Sequence, residues 1–319
     1  MTDRSDSSAG LATVFMGTPE FAVPALRALA SETDLRLVIT QPDRPAGRGR
    51  KPASPPVELA AREIGARVEQ PERTRGRRFA ERIGELEPDL IVTAAFGRML
   101  GRRLLALPRL GCVNVHASLL PRYRGAAPIN RAILDGAERT GVSIAKMVQS
   151  LDAGPVYLRE SVRIGPEETA GELAERLSRV GAEALVRVLR EIDAIYPEPQ
   201  DPELVSWAPQ LRKEEGRVDW SLAAGRIHDH VRGMHPWPCA FTNLDERRLR
   251  IHRCEVLEAG GRESERPGAV IAHGPAGLDV ACGRGAVRLL ELQLPGRKRL
   301  DASQFHAGCR LEPGAVLGF

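Results

Sequence analysis

The chain has 319 residues, of which 42% are hydrophobic and 28% charged, with a net charge of +4 and a pI near 9.0. This length is enough for two separate cores, and the composition is ordinary for a globular protein. The small charge excess permits a polyanionic partner without requiring one, and the 4% of aromatic residues argues against broad base-stacking surfaces.

Secretion and membrane insertion are both disfavoured by the sequence. The five cysteines are widely spaced and form no Cys-x-x-Cys pair, which argues against a disulfide framework and a structural zinc site. No run approaches 18 apolar residues, and residues 1–11 are polar, without the apolar segment of a signal peptide. We therefore expect a cytoplasmic protein with a disordered tail at residues 1–11 and no metal site. We also expect a monomer, although nothing in the sequence itself determines the oligomeric state.

In the first part of the chain, the pattern of apolar residues predicts strands that alternate with helices. The strands are predicted at residues 12–16, 35–40, 67–70 and 90–95, and the helices at residues 57–65, at residues 77–86 and after the turn at residues 17–20. At that turn Thr18 would be the N-cap and Pro19 the first helical residue. The alternation predicts an α/β fold with a Rossmann-like parallel sheet. A Gly-x-Gly-x-x-Gly motif is absent after the first strand, which argues against a bound dinucleotide.

Residues 41–56 interrupt this alternation with a polar segment rich in glycine and proline. Its cationic side chains are Arg44, Arg48, Arg50 and Lys51. From composition alone, a solvated mobile loop and a phosphate-binding loop explain the segment about equally well. A core element is excluded, because the segment is polar and broken by proline and glycine.

The strand predicted at residues 112–116 carries the best candidates for chemistry. Asn114 and His116 are two residues apart and therefore share one face of the strand, while Val113 and Val115 point to the other face. An amide and an imidazole can both donate hydrogen bonds to a carbonyl oxygen that develops negative charge. An imidazole can also move protons near neutral pH.

Asp152 is the best carboxylate partner for this pair. It follows a second strand, predicted at residues 141–147, and precedes a Gly-Pro turn. There is no Gly-x-Ser-x-Gly elbow, and no cysteine has an evident base partner, so direct attack by an amine fits better than a covalent enzyme intermediate. An isolated histidine is more often a packed residue than a catalyst, but Asn114, the Arg-rich loop and Asp152 together favour acyl-type transfer.

The later elements predict a second domain. Residues 156–164 alternate like an antiparallel edge strand, and residues 169–192 form an amphipathic helix. Residues 196–211 are rich in proline and are predicted as a linker between a catalytic domain at residues 12–195 and a C-terminal domain at residues 212–319. That domain predicts a helix at residues 223–234 and strands at residues 240–243, 248–256, 268–273, 277–281 and 286–293. Short strands with glycine-rich turns predict a small OB-like β-barrel.

Two stretches give the chain a likeness to a known family. The residues from Asn114 to Pro128, together with Leu-Asp-Ala-Gly-Pro at residues 151–155, resemble the folate-dependent formyltransferases. The resemblance extends from Val14 to about Gly318. Two small departures are Ser150, where glycine is expected, and Ala153, where threonine is common. Neither departure removes a reactive group.

The resemblance assigns roles to the central motif. It implies a catalytic trio formed by Asn114, His116 and Asp152. It also implies that the tetrahydrofolate is held by Ser118, Leu119, Leu120 and Pro121. Ligands of parallel sheets collect at the carboxyl ends of the strands, so the end of the strand at residues 90–95 should wall the folate ring. The residues concerned are Ala94, Phe96 and Gly97, for which plain core packing is the alternative.

The resemblance is greatest to the members that act on tRNA. These share a Pro-Ala-Gly-Arg-Gly loop, which matches residues 45–49 and would enter the acceptor stem, with Arg48 as the leading contact. The implied reaction moves a formyl group from 10-formyltetrahydrofolate to the amino group of initiator methionyl-tRNA. Further tRNA contacts are expected from Arg44, Arg50, Lys51 and Lys213, and in the C-terminal domain also from Arg247, Arg248, Lys298 and Arg299.

Two alternatives to this reaction stay open. One is formyl transfer to a different amine, such as a nucleotide-linked amino sugar, against which the Arg-rich loop speaks. The other is a folate- or RNA-binding module without catalysis, which the intact trio disfavours.

Overall fold

The computed structural model describes residues 10–46, 51–257, 265–309, 311–312 and 314–318. These residues divide into two compact units. The first falls within Met1–Pro128, Arg139–Arg163 and Ala174–Pro209, and the second within Ile129–Glu138, Ile164–Leu173 and Gln210–Phe319. Residues 1–9 of the predicted tail lie outside the described residues. Leu11, also assigned to the tail, is buried and accepts a backbone hydrogen bond from Asp34, so it packs against the fold, while β1 begins at Ala12 as predicted.

The first half of the chain alternates strands and helices as predicted. The strands are β1 (Ala12–Gly17), β2 (Asp34–Ile39), β3 (Arg44–Ala46), β4 (Lys51–Ala53), β5 (Val68–Glu69), β6 (Leu90–Ala94), β7 (Cys112–His116), β8 (Arg124–Gly125), β9 (Arg139–Lys146) and β10 (Val156–Arg163), with β11 (Trp207–Ala208) later in the chain. The helices are α1 (Val23–Glu32), α2 (Pro56–Glu63), α3 (Arg77–Gly84), α4 (Arg102–Leu105), α5 (Pro128–Leu134) and α6 (Ala170–Glu191).

A seven-stranded mixed sheet organises the first unit. Its strand order is β10-β9-β7-β6-β1-β2-β5. The five strands from β7 to β5 are parallel to one another, β9 is antiparallel to β7, and β10 is antiparallel to β9. The Rossmann-like parallel sheet and the antiparallel edge strand are therefore confirmed. Both β1 and β6 are buried along their whole length, as expected for central strands with both faces covered.

The strand β7 lies between β6 and β9, and its bounds match the prediction. Asn114 is paired with Thr93 on one side and with Ala145 on the other. The helix α6 packs closely behind β7, because a Cβ atom added to Gly181 would lie only 2.8 Å from the Val115 side chain. Val115 points away from Asn114 and His116. The helix thus supports the strand from the face opposite to these two side chains.

The second unit contains an antiparallel sheet of short strands, as predicted. Its strands are β12 (Ala240–Leu244), β13 (Arg247–Leu257), β14 (Val270–Gly274), β15 (Gly277–Ala281), β16 (Ala286–Gln293) and β17 (Leu300–Asp301), and its helices include α7 (Ala224–Met234) and α8 (Ala302–Gly308). The strand order is β12-β13-β16-β15-β14, with β17 paired to β16. None of the helices in the described part of the chain has the length and hydrophobicity needed to span a membrane.

The boundaries between the units differ from the predicted domains. Residues 129–138 and 164–173 belong to the second unit, because they are hydrogen-bonded to α7. Asn130 donates its amide to the Gly233 carbonyl at 2.8 Å, and Arg232 donates its guanidinium to the Gly165 and Glu168 carbonyls. These hydrogen bonds join residues that are distant in the sequence, so no local sequence pattern predicts them.

The predicted linker is attached to neighbouring strands by backbone hydrogen bonds at Glu198 and at residues 206–208, although most of its side chains are exposed. Its residues Trp207 and Ala208 form β11, which pairs in parallel with β8. Glu198 and Val156 exchange two backbone hydrogen bonds of 2.8 and 2.9 Å. Backbone pairing needs no hydrophobic periodicity, which is why the sequence of this segment does not reveal it.

Two further local predictions are wrong, and two helices, α4 and α8, were not predicted. Thr18 does not cap a helix, because a 3-10 turn at Glu20–Ala22 precedes α1, and the Thr18 hydroxyl donates instead to the Phe96 carbonyl. The segment at residues 41–56 contains the paired strands β3 and β4 instead of only irregular loop. Of these two, α8 begins with a capping box formed by Asp301 and Gln304.

Candidate active site

The side chain of Asn114 is oriented by its neighbour on β6. The Thr93 hydroxyl donates a hydrogen bond of 2.8 Å to Asn114 Oδ1. Thr93 itself is buried, whereas Asn114 is partly exposed. Because the amide oxygen is occupied by Thr93, the two Nδ2 hydrogens are left to be donated elsewhere. The sheet register therefore aims an amide donor toward the front of β7.

The imidazole of His116 is buried and has two different neighbours. Its Nε2 lies 3.0 Å from the Tyr123 carbonyl oxygen, which can only accept, so Nε2 carries the hydrogen. Its Nδ1 lies 3.8 Å from Asp152 Oδ1. In the neutral ring Nδ1 is therefore the unprotonated nitrogen, able to take up a proton beside a carboxylate. Only after protonation can Nδ1 donate a hydrogen bond.

The carboxylate of Asp152 is held between a backbone amide and the imidazole. Its Oδ2 accepts a 2.9 Å hydrogen bond from the Gly125 amide, while Oδ1 faces His116. Asp152 has a φ of 48°, in the left-handed region that aspartate tolerates better than most residues. The loop then returns closely against β9, since a Cβ on Gly154 would lie 1.7 Å from the Lys146 carbonyl oxygen. The structure thus brings His116 and Asp152 together, as the sequence predicts.

A cavity of about 40 Å³ lies beside Asn114 and Asp152. Its other walls come from the residues after β6 and from the end of β9 and the loop that follows. They are Met99, Leu100, Leu105, Ala145, Lys146, Met147, Val148, Ser150, Leu151 and Gly154. Three of these large apolar side chains are 37–45% exposed, namely Met99, Val148 and Leu151. These apolar side chains in loops are the sequence signal for this cavity, and none of the predictions above rests on them.

The residues predicted to hold folate lie around the strand ends, mostly with buried side chains. Buried are Ala94, Phe96, Ser118, Leu120 and Pro121, while Leu119 is partly buried and Gly97 is exposed. The Ser118 hydroxyl donates to the Arg122 carbonyl, and the Ser143 hydroxyl donates to the Ser118 carbonyl. Within the described residues, none of the seven lines the cavity beside Asn114. Their role in folate binding stays a prediction.

The predicted tRNA contacts are only partly described. Arg44 is exposed and donates to the Gln41 side chain at 2.6 Å. Arg48 and Arg50 lie outside the described residues, and of Lys51 only the backbone, in β4, is described. Lys213 belongs to the second unit, where it opens a short 3-10 helix at Lys213–Gly216 and is exposed.

Lys213 lines a basic groove on the second unit. Two adjoining cavities of about 380 and 260 Å³ share Lys213, Phe241 and Arg248. The basic groove is formed by Lys213, Arg217, Trp237, Phe241, Arg248 and Arg250. The Arg248 guanidinium lies 4.0 Å from the centre of the Phe241 ring, and the Trp237 side chain is half exposed. The groove thus combines exposed cations with one exposed aromatic side chain, Trp237, a combination that suits a polyanion carrying flat rings.

No thiol in the described residues is set up as a nucleophile. Burial raises the pKa of Cys112, at the start of β7, to about 12, and that of Cys282 to about 11. Burial also raises the pKa of Cys239, Cys254 and Cys309. These thiols stay protonated near neutral pH and are poor nucleophiles. Among the described residues there is also no group of three or more His, Cys, Asp or Glu side chains that could hold a metal ion.

The chain is similar to known proteins over nearly all of its length. The family described as Formyl transferase matches residues 11–189, and Formyl transferase, C-terminal domain, matches residues 210–310. The methionyl-tRNA formyltransferase of Geobacter metallireducens is 47% identical over 313 residues, which cover 97% of this chain and 99% of that protein. The methionyl-tRNA formyltransferase of Geotalea uraniireducens is 48% identical with the same coverage.

Solved structures share the fold. The N-formyltransferase of Helicobacter canadensis, in complex with folinic acid and dTDP-3-aminofucose, has a TM-score of 0.64 at 14% identity, covering 88% of this chain and 98% of that chain. The methionyl-tRNA formyltransferase of Clostridium thermocellum has a TM-score of 0.57 at 16% identity, covering 78% and 95%. At these identities the likeness concerns the architecture alone.

Proposed function

Since this chain belongs to the formyl transferase family, we propose that it transfers the formyl group of 10-formyltetrahydrofolate to the α-amino group of methionine esterified to initiator tRNA. The relatives at 47% and 48% identity carry the name of this activity and match nearly the whole chain. The observation that carries the chemistry is the pairing of His116 with Asp152, whose Nδ1 and Oδ1 atoms lie 3.8 Å apart.

The trio supplies a hydrogen-bond donor and a proton acceptor. When the amine adds to the formyl carbon, the Nδ2 hydrogens of Asn114 stabilise the negative charge that develops on the formyl oxygen. The amine must lose a proton, and His116 Nδ1 takes it up. Asp152 stabilises the imidazolium that results. The folate nitrogen that releases the carbon gains a proton, which the protonated Nδ1 can return.

The cavity beside Asn114 must widen before it can admit the folate ring. Its volume of about 40 Å³ is far below the roughly 300–1,000 Å³ of sites that enclose a small molecule. The apolar side chains of Met99, Val148 and Leu151 are the most exposed part of its walls and are suited to cover an aromatic ring after it enters. The predicted folate residues Ala94, Phe96 and Gly97, and the segment from Ser118 through Leu119 and Leu120 to Pro121, would support the widened pocket from the strand ends.

Two basic regions would bind the tRNA. One is the loop with Arg44, Arg48, Arg50 and Lys51, for which Arg48 is the leading contact by family resemblance. The other is the basic groove that contains Lys213. Phosphate neutralisation by several cations makes such binding dependent on salt. We further propose that the protein acts as a monomer in the cytoplasm, where charged tRNA and reduced folate meet.

The decisive test is formyl transfer by the purified protein with 10-formyltetrahydrofolate and charged initiator tRNA. We expect N-formylmethionyl-tRNA to form, and no product with a nucleotide-linked amino sugar in place of the tRNA. Transfer to the sugar alone would show that the acceptor is wrong. Folate binding without transfer to either acceptor would instead support a non-catalytic module.

A further inference from the structure

The segment predicted as a linker runs beside the catalytic carboxylate. The Ser206 carbonyl accepts a hydrogen bond from the Arg124 amide at 2.9 Å, and the Ala208 carbonyl accepts from the amides of Ala126 and Ala127 at 2.9 and 3.1 Å. Residues 198–208 are thereby attached to the stretch that contains Gly125. The Gly125 amide is the group that donates to Asp152 Oδ2.

Gln200, in the middle of this segment, uses its whole side-chain amide on two catalytic loops. Its Nε2 donates to the backbone carbonyls of Asp152 and Gly154 at 2.8 and 2.6 Å. Its Oε1 accepts from Nε and Nη2 of Arg124 at 3.1 and 2.7 Å. A guanidinium can only donate, so the amide oxygen must face Arg124 and the amide nitrogen must face the two carbonyls. The orientation of the amide is therefore fixed by chemistry.

The two loops joined by Gln200 are those that set the position of the carboxylate. Arg124 precedes Gly125, whose amide binds Asp152 Oδ2, and the Asp152 carbonyl is itself one of the two that Gln200 holds. Asp152 has a left-handed backbone conformation, which persists only when its surroundings stabilise it. Gln200 is the residue of this segment that donates to the Asp152 and Gly154 carbonyls. Without its amide, both of these hydrogen bonds are lost.

We propose that Gln200 is a positioning residue, which holds Asp152 at the distance from His116 that proton transfer requires. This inference rests on the proposed function of the trio. A shift of about 1 Å in a catalytic group can lower turnover by about 100-fold. Gln200→Leu should therefore lower kcat by about 10- to 100-fold, with little change in the KM for tRNA.

The expected dependence on Asp152 separates positioning from a general structural role. In the Asp152→Asn background, Gln200→Leu should lower the residual kcat by less than about twofold, because the carboxylate that it positions is gone. The matched control is Glu198→Ala, which removes an exposed side chain from the same segment without touching the Asp152 loop. It should keep wild-type kcat.

A second substitution tests the donors of Gln200 directly. Gln200→Glu keeps the acceptor for Arg124 but presents a carboxylate oxygen to the carbonyls of Asp152 and Gly154. At neutral pH its kcat should be as low as that of Gln200→Leu. As the pH falls, the introduced carboxylate becomes protonated and can donate a hydrogen bond again, so the ratio of its kcat to that of wild type should rise. This variant also decides the matter if Gln200→Leu does not fold.

The outcomes are distinguishable. Wild-type kcat in Gln200→Leu or Gln200→Glu, or losses that simply multiply with that of Asp152→Asn, would overturn the positioning role while the proposed function stands. A wild-type protein that does not formylate methionyl-tRNA would overturn the proposed function, and the inference with it.

Discussion

The proposed catalytic trio and the basic groove differ in how firmly the chain fixes their side chains. Oδ1 of Asn114, Nε2 of His116 and Oδ2 of Asp152 each have a hydrogen-bond partner within 3.0 Å. The basic groove instead presents exposed cations such as Lys213 and Arg217. Proton transfer depends on tenths of an ångström, whereas attraction of phosphates needs charge of the right sign. Damage to the two regions should therefore appear in different kinetic constants.

The largest effect is expected from the imidazole and its carboxylate. His116→Ala or Asp152→Asn should lower kcat by about 10²–10⁴-fold, the range typical of acid–base groups, while the affinity for tRNA changes little. Single-turnover formylation with saturating tRNA measures this. Asp193→Asn, at an exposed carboxylate of the same unit, is the matched control and should behave as wild type. An unchanged rate in either trio variant would contradict the proposed mechanism.

A smaller effect is expected from the hydroxyl that orients Asn114. Thr93→Val removes the hydrogen bond to Asn114 Oδ1 without changing the side-chain volume much, so kcat should fall by about 10-fold, less than the roughly 10²–10³-fold expected for removing an oxyanion donor outright. The control is Thr140→Val on β9, since the Thr140 hydroxyl is buried without a hydrogen-bond partner. Equal losses in both variants would point to a general effect of packing.

Substitutions in the basic groove should change only the binding of tRNA. Lys213→Ala or Arg248→Ala should raise the KM for tRNA several-fold, leave kcat at saturation unchanged, and reduce the salt dependence of binding by about one phosphate contact each. Binding titrations at several salt concentrations test this. The control is Arg179→Ala, an exposed arginine on α6 paired with Glu175. A fall in kcat with unchanged KM would remove the contrast between the two regions.

The smallest effect concerns stability and should leave the kinetics untouched. Hydrogen bonds from the amide and hydroxyl of Thr169 lower the pKa of Glu172 below its usual 4.5, as part of the capping box at the start of α6. Glu172→Ala should lower the free energy of unfolding by about 1 kcal/mol at neutral pH.

The sign of the pH dependence follows from that lowered pKa. The stabilisation by Glu172 is complete above the unfolded pKa and is lost as pH falls through the folded pKa. Thermal unfolding at pH 7 and at progressively lower pH should therefore show the difference between wild type and Glu172→Ala shrinking toward acid. A difference that grows toward acid would contradict this assignment. Glu175→Ala, one turn further along α6, is the control.

Local periodicity predicts much of the fold and part of the site. The placement of Asn114 and His116 on one face follows from the two-residue repeat of a strand, and the bounds of β7 agree with it. The contribution of Thr93 could not be predicted, because it depends on the register between β6 and β7. The attachment of the predicted linker was missed for a related reason, since Gln200 forms its hydrogen bonds with backbone carbonyls that any sequence possesses.

The tight contact between α6 and β7 bears on which changes the protein can accumulate. A Cβ atom added at residue 181 would lie 2.8 Å from the Val115 side chain, so an added methyl group would force α6 or β7 to shift. A displaced strand would carry its front side chains with it, and a protein that still folds would work more slowly. The absence of a side chain at Gly181 thus helps to keep Asn114 and His116, on the opposite face of β7, in the positions on which the proposed turnover depends.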